Sequence, residues 1–478
     1  MMRQSISSII ADRARAAPND VVVVDERGGL TASDLDDSAT RLAHALRGRG
    51  VETDDLVTIS LPNGRDFVIA TVAVWKAGAT PQPVSTRLTD AERAAVEEVS
   101  GPAAAIGLRP QDRSTPWFVS VDAPVVAEPL PDLAASSWKA PTTSGSTGRP
   151  KVVKANAPAL LDPTTPVADF LPLRATQLVA GPMTHSATFT YAFRGLLTGH
   201  RLVILPRFDE RGWLDAVEEH AVTWGLIVPT MMHRLLRLPE AERHPDRVRS
   251  IESLLHMGAP CSIPLKRAFL EWVGAERVVE VYAGSESNGL TMIGGDEWLT
   301  REGSVGRAVG GTEIRIRAAD GDTVPIGTTG TVWMRRGPRP AYEYVGATSR
   351  RDPEGWDTLG DVGRLDDDGY LYLLDRLDDV INRGGEKIYP VEIERVMEQH
   401  PAVRGALAFG LPDPALGERV AAVADVAGAQ IGADELLAWS RERLGARAPA
   451  SIVVVDEPVR DDAGKASRRR WAEGAARS

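Results

Sequence analysis

Cysteine is nearly missing. Among 478 residues there is one, Cys261, so no disulfide can form within the chain. Paired Cys and His at zinc-ligand spacing are missing too. No uninterrupted apolar run approaches the roughly 18 residues that a membrane span needs. The opening stretch, MMRQSISSIIADRARAAPND, has an apolar segment too short for a secretory leader, and charge interrupts it. Excess positive charge is lacking: 55 Lys and Arg against 66 Asp and Glu leave a net −11. That balance argues against general attraction to nucleic acid or to an anionic membrane. The one cationic cluster, Arg468-Arg469-Arg470, reads as a solvated tail or a local anion contact. Together these absences make the cytoplasm the default location.

What is present is the balance of an ordinary globular chain, 43% apolar and 25% charged. The length allows about three domains or lobes. Strand and helix signals alternate through the first three hundred or so residues. LTASDLDDSATRLAHALRGRGV predicts a helix, with Ser33 as its N-cap and Gly48 and Gly50 ending it. DLVTISLPN then reads as a buried strand and RDFVIATVAVWKAGA as an apolar helix. The same order recurs in TQLVAGP, TFTYAFRGLLTG and HRLVILP, and again through RVVEVYAGSE. Apolar strands joined by helices predict a parallel α/β architecture buried on both faces. Ligands in such sheets sit beyond the carboxyl ends of strands, where GPMTHSAT, HMGAP and YAGSESNG fall.

From about Gly303 the texture changes to short alternating strands and Gly-rich turns, a β lobe. DVGRLDDDGYLYLLDRLDDVI predicts a hairpin turning at DDDG. A compact α+β tail follows, with Pro390 at the first position of a helix. The expected fold is therefore α/β: parallel α/β lobes plus a β lobe, and a small α+β C-terminal domain.

TTSGSTGRPK, residues 142–151, is the densest cluster of small and hydroxyl residues. Backbone N–H groups in such a loop can converge on an anion, and hydroxyls add donors. It does not match GxxxxGK[ST], because Gly145 and Gly148 are too close and Lys151 follows Pro150. Composition alone leaves it as a polar loop or a phosphate cradle. Glu286, at a buried strand end, needs a cation or a donor; it suits Mg²⁺, or it caps a helix. Asp361 suits a sugar diol or a turn, and Arg376 a phosphate or ribose contact or a surface ion pair.

Taken together, these stretches resemble the adenylate-forming superfamily of acyl-CoA synthetases, peptide-synthetase adenylation domains and luciferases. The resemblance spans nearly the whole chain, from LTASDLDDSATRLAHALRGRGV through TTSGSTGRPK, YAGSES and TLGDVGRLDDDGYLYLLDRLDDVINRGGEKIYPVEIE to DDAGKASRRR. It implies that ATP and a carboxylate give an acyl-adenylate and pyrophosphate, after which a nucleophile, usually coenzyme A, displaces AMP. It also implies roles for particular residues. Thr142, Thr143, Ser144, Gly145, Ser146, Thr147, Gly148 and Lys151 would wrap the β- and γ-phosphates. Gly258 and Ala259 join the ATP-binding set, Tyr282 stacks on adenine, and Ser285 stands where a threonine is usual. Glu286 matches the Mg²⁺-linked carboxylate, Asp361 the ribose ligand and Arg376 a ribose and phosphate contact. Lys465 matches the lysine that bridges the substrate carboxylate and the α-phosphate. The resemblance further implies a division into residues 1–377 and a mobile domain, 378–478, turning at Asp378. Turning would bring Gly384 and Gly385 to a narrow tunnel for the acceptor thiol. His185 matches a gate between acyl pocket and tunnel, or is a buried structural histidine.

Ala283 departs from the pattern, replacing a usual glycine, and Thr184 stands where an aromatic often precedes the histidine. Within the superfamily the likeness runs to bacterial acid–CoA ligases labelled for bile-acid, steroid-acid or aryl-acid substrates. The wall segments 183–194, 256–262 and 281–292 mix Thr, Tyr, Phe, Met and Asn, which suits a ring-bearing acid. A carrier-protein thiol, or nitrite activation for diazotising an aryl amine, would use the same adenylation residues; a sensor that has lost catalysis is the non-enzyme alternative. The expected small molecules are thus an acid, ATP with Mg²⁺, and coenzyme A. The oligomeric state stays open, a homodimer included.

Overall fold

A computed structural model describes residues 3–112, 114–126, 128–144, 150–460, 464 and 468–475. Its central feature is a nine-stranded sheet. Five neighbouring strands of it are parallel: Val278–Ala283, Ser253–His256, Trp224–Ile227, Thr176–Val179 and Arg201–Ile204. Their carboxyl ends therefore share one edge, which gathers the segments after Val179, His256 and Ala283. Val21–Asp25 extends the parallel run, and Gly28–Thr31 closes it as an antiparallel edge. A second, smaller sheet pairs Thr80–Pro83, Leu56–Ser60, Ala104–Gly107 and Trp117–Phe118 in parallel.

Local sequence explains the helices that cover these sheets. Helix Ala32–Gly48 starts at Thr31, whose hydroxyl accepts the Asp34 N–H at 3.1 Å while Asp34 reaches back. This capping box moves the start two residues ahead of Ser33, because the acidic partner lies three residues after Thr31. Helix Arg65–Lys76 is buried on every face from Phe67 to Lys76, as its unbroken apolar run requires. Helix Ser186–Leu197 joins two cores. Phe189 and Phe193 pack near each other at 4.6 Å and meet Trp75 in the first. Tyr191 packs on Phe170 and Trp224 in the second.

The β lobe is a four-stranded antiparallel sheet of Thr312–Arg317, Gly330–Arg336, Asp361–Leu365 and Leu371–Arg376. The last two form the expected hairpin around DDDG. A three-stranded sheet, Tyr342–Val345, Pro150–Ala155 and Thr142–Ser144, ties this lobe back to the strand before residue 145.

Beyond the β lobe, Gly405–Asp413 and Gly417–Asp425 form a nine-pair antiparallel ladder, flanked by Ile381–Arg383, Glu386–Ile388 and Ser451–Val455. Pro390 opens helix Pro390–Met397 at its first turn. Of the two readings of the C-terminal arginines, Arg468 takes the local anion contact, while Arg469 and Arg470 stay exposed. All three begin helix Arg468–Ala475, and the Arg468 guanidinium meets Asp379 and Glu394, each at 2.8 Å. Burial of Glu394, 3% exposed at its side chain, makes that pairing compulsory. No helix among the described residues is long and apolar enough to cross a membrane.

Two histidines held down by burial contribute to the pH dependence of stability. His256 is fully buried, and neither ring nitrogen has a hydrogen-bond partner among the described residues. Burial holds its pKa down at about 4, and it does the same for His233. Above the ordinary 6.5 neither histidine is charged in either state. As pH falls from there towards 4, the unfolded chain takes up protons first, and stability is lost. Each histidine contributes up to about 1.4 kcal/mol of that loss per pH unit, and the carboxyls Glu398 and Asp375, raised by burial to about 7 and about 6, oppose it. In denaturant melts at pH 7 and pH 5, His256→Gln should lose less stability on acidification than the parent; an unchanged difference between the two pH values would remove His256 as a source.

Candidate active site

The parallel edge and the β lobe meet around one buried carboxylate. Glu286, 8% exposed, follows strand Val278–Ala283. Its Oε1 accepts the Tyr344 hydroxyl at 2.6 Å, and Lys151 Nζ stands 3.4 Å away. Lys151 also donates to the Tyr344 oxygen at 2.7 Å. Tyr344 and Lys151 come from paired strands, Tyr344 facing Val153 across the ladder, so the sheet itself sets their spacing. Burial and the Glu286 charge push the Tyr344 phenol up, which keeps it a donor. Gly284 is required here: a Cβ would stand 2.4 Å from Leu359 and 2.9 Å from the second Glu286 oxygen. Ser285 lies half-buried between them.

A second chain of contacts runs alongside. Tyr282 donates its hydroxyl to Asp361 Oδ2 at 2.5 Å, and Arg376 Nε reaches Asp361 Oδ1 at 3.3 Å. Burial and the Asp361 charge push the Tyr282 phenol well above its ordinary value. Antiparallel pairing of Asp361 with Arg376 explains their approach. Arg376 is still 57% exposed at its side chain, so it combines the ion pair with a free approach for a ligand. Arg376 and Asp361 thus lie on the same side as Tyr282 and Glu286.

Thr142, Thr143 and Ser144 form the strand beside Lys151. The Thr143 hydroxyl is buried without a partner among the described residues. Gly145, Ser146, Thr147 and Gly148 lie outside the described residues, as does Lys465. Its neighbour Gly464 is described: a Cβ there would come 3.1 Å from the Ala259 Cβ and 3.5 Å from the Thr230 hydroxyl. Gly258, at φ +98°, makes the turn that presents Ala259. Gly464 therefore packs against the turn at Gly258 and Ala259, beyond the carboxyl end of strand Ser253–His256.

His185 occupies the N-cap position of helix Ser186–Leu197. Asp378 sits in a short 3₁₀ turn and reaches Arg350 at 3.5 Å. Gly384 and Gly385 are exposed here and make the tight turn of a hairpin at φ +58° and +88°. Positive φ, not crowding, demands glycine in this turn, since a Cβ on Gly385 would meet nothing within 4 Å.

The arrangement can receive a polyanion. Lys151 and Arg376 supply the cations, and Glu286 supplies a hard oxygen. Motif spacing alone missed Tyr344 and Lys139, the latter buried at 4% exposure two residues before Pro141. The signal for Lys139 was a lysine in the otherwise uncharged run SSWKAPTTSGST.

The Tyr344–Glu286 contact is measurable by a double-mutant cycle. Tyr344→Phe should cost about 1.5–3 kcal/mol of stability, as a hydrogen bond to a charged group does. Much of that should vanish in a Glu286→Gln background. Full additivity of the two changes would show that the pair is not coupled.

Comparison with known proteins agrees with this geometry. The family model described as AMP-binding enzyme matches residues 10–345, and the model of its C-terminal domain matches residues 392–465. A feruloyl-CoA synthase from Amycolatopsis sp. is 31% identical, over 97% of this chain and 98% of its own. The structure of o-succinylbenzoate CoA synthetase from Bacillus subtilis, complexed with its acyl-adenylate intermediate, superposes with TM-score 0.81 at 25% identity, covering 98% of both chains. Amide bond synthetase McbA from Marinactinospora thermotolerans superposes with TM-score 0.80 at 25% identity, over 98% of this chain and 99% of its own. The chain belongs to the AMP-binding enzyme family, and it is an adenylate-forming enzyme of the acid–CoA ligase type.

Proposed function

We propose that the protein adenylates a small ring-bearing carboxylic acid with ATP and Mg²⁺, then transfers the acyl group to coenzyme A. The observation that carries this reading is the convergence of Lys151, Glu286, Tyr282, Asp361 and Arg376 on one sheet edge, with Gly464 packed beside it. In the first step a carboxylate oxygen attacks the α-phosphorus, an O–P bond forms, and pyrophosphate leaves. In the second the thiol sulfur attacks the acyl carbon, AMP leaves with the oxygen, and the thiol proton passes to solvent.

The chain's own groups have distinct tasks in this scheme. Residues 142–151 and Lys151 hold the leaving pyrophosphate. Arg376 and Asp361 fix the ribose, with Tyr282 against the base. Lys465 brings a cation to the α-phosphate, where charge grows. Asp378 is the hinge between the proposed domains 1–377 and 378–478, and Gly384 and Gly385 line the thiol path after turning. His185, at the head of the helix that bounds the acyl side, serves as the gate. Mg²⁺ fits Glu286 because the ion favours one or two carboxylates plus phosphate oxygens. When bound, it would neutralise charge on the phosphates.

An amine acceptor is the second reading, favoured by the likeness to an amide bond synthetase over 98% of this chain. Incubation with ATP, Mg²⁺, coenzyme A and a panel of aryl and steroid acids separates the two. Thioester and AMP together are expected; AMP formed only when an amine is added would sink the coenzyme A assignment. Lys465→Ala should slow adenylate formation by about 100-fold or more, the scale for losing a transition-state cation. It should leave a preformed adenylate reactive with its acceptor, and equal loss of both half-reactions would contradict the turning domain. Glu286→Gln should raise the Mg²⁺ needed for half-maximal rate; an unchanged titration would remove Glu286 as the metal-linked group.

A further inference from the structure

Three lysines are buried among the described residues, and two of them meet a carboxylate. Lys76 faces Asp36 at 2.7 Å, and Lys266 faces Glu280. Lys139, 4% exposed, has hydroxyls instead. Its Nζ stands 2.9 Å from Ser186 Oγ and 2.8 Å from Thr190 Oγ1. No carboxylate pairs with it among the described residues. Two elements are joined by this contact. The Lys139 carbonyl accepts the Ala155 N–H at 3.1 Å, and the chain runs on into strand Thr142–Ser144. Its backbone therefore belongs to the hairpin that carries residues 145–149. Its side chain crosses to helix Ser186–Leu197, whose N-cap is His185.

Burial is graded across the contact. The amine is buried, whereas Ser186 and Thr190 are half-buried. A hydroxyl accepts from an ammonium and donates to a neutral amine at the same distance. A proton can therefore pass between Ser186 and Lys139 while both heavy atoms stay in place. The charged groups that bear on the amine are Arg194, from the same helix, and Glu286, after strand Val278–Ala283. Burial and then Arg194 push Lys139 down to about 7, and Glu286 pulls the other way. That pull puts the amine within electrostatic reach of the nucleotide edge. A base serves best when its pKa lies near the working pH, because neutral amine and driving force are then both available.

We infer that Lys139 takes up the proton of the acceptor thiol in the second half-reaction, with the Ser186 hydroxyl as relay. This rests on the adenylation and coenzyme A reading above and adds a base to its second step. As the sulfur–carbon bond forms, the bond from the acyl carbon to the AMP oxygen breaks. The thiol proton moves to Ser186 Oγ while the Ser186 proton moves to the Lys139 lone pair. AMP leaves with both electrons of the broken bond, and the new ammonium later returns its proton to solvent. The first half-reaction starts from an ionised carboxylate and needs no base. Lys139 therefore serves one half of the reaction and not the other.

The test uses the full chain with benzoate, hydrocinnamate and 4-hydroxycinnamate. Pyrophosphate exchange reads the first half-reaction. Single turnover of the enzyme-held adenylate with coenzyme A reads the second, across a pH series. In the wild-type protein the second step should rise about 10-fold per pH unit and level off near pH 7. Lys139→Arg keeps a charge and donors but has no lone pair to offer. It should slow the second step by about 100-fold or more and flatten that rise. Exchange should stay within about threefold of wild type. Ser186→Ala should slow the second step in the same way, and Ser186→Thr should recover part of it. A Lys139→Arg protein that matches wild type in the second step would make the amine a structural tether and overturn the inference. Equal loss in both halves also overturns it. So does a wild-type profile that climbs through pH 7 without a break, which needs no variant. Exchange without thioester would bring down the coenzyme A assignment, and no exchange with any of the three acids the adenylation reading; the inference falls with either.

Discussion

A buried carboxylate organises this molecule. Glu286 cannot sit at the end of a buried strand unless donors meet it, and no neighbour along its own strand supplies one. The donors come from elsewhere: Tyr344 and Lys151, on two strands of a separate small sheet. Satisfying Glu286 therefore locks the large parallel sheet to the segment that leads into and out of residues 145–149. The same contact holds the carboxylate close to the Lys151 cation. A ligand rich in negative charge and accompanied by a metal would exchange partners with both. Stability and ligand readiness thus rest on one set of hydrogen bonds.

The C-terminal part is tied in by the same logic. Asp375 ends the β-lobe hairpin, and its Oδ2 accepts the Val391 N–H at 2.9 Å, at the start of helix Pro390–Met397. Burial pushes Asp375 up to about 6 although Arg468 pulls against it. Arg468 itself bridges Asp379, next to the proposed hinge, to Glu394 inside the C-terminal sheet and helix layer. Arg460 reaches the other Glu394 oxygen at 2.7 Å. These ion pairs hold helix Arg468–Ala475 against helix Pro390–Met397 and the turn at Asp379. Gly464 then reaches over to Ala259, a point where a missing side chain permits close approach.

Charge is treated differently on the two sides of the nucleotide edge. Around Asp361 and Arg376 each charge has its opposite close by. Along helix Ser186–Leu197 the cations Lys139 and Arg194 stand with hydroxyls and rings instead. Carboxylate partners suit groups that a neutralising ligand displaces or joins.

Much of the architecture was legible along the chain. Alternating apolar strands and helices marked the parallel sheet, because a strand buried on both faces must be apolar throughout. DDDG marked the hairpin, Pro390 its helix start, and motif order marked the family. Local chemistry read too coarsely placed one cap wrongly, since Thr31, not Ser33, caps its helix, and it left open which arginine after residue 467 meets an anion, which is Arg468. Tertiary structure decided what spacing could not. Tyr344 and Glu286 are 58 positions apart, and Lys139 and Thr190 are 51 apart. Strand order and helix packing bring such pairs together, and no local periodicity encodes them. By itself the sequence determined which elements form and which chemistry the motifs belong to, since both depend on near neighbours. Only the folded chain decided which buried charges find partners, because that depends on what distant segments place beside them.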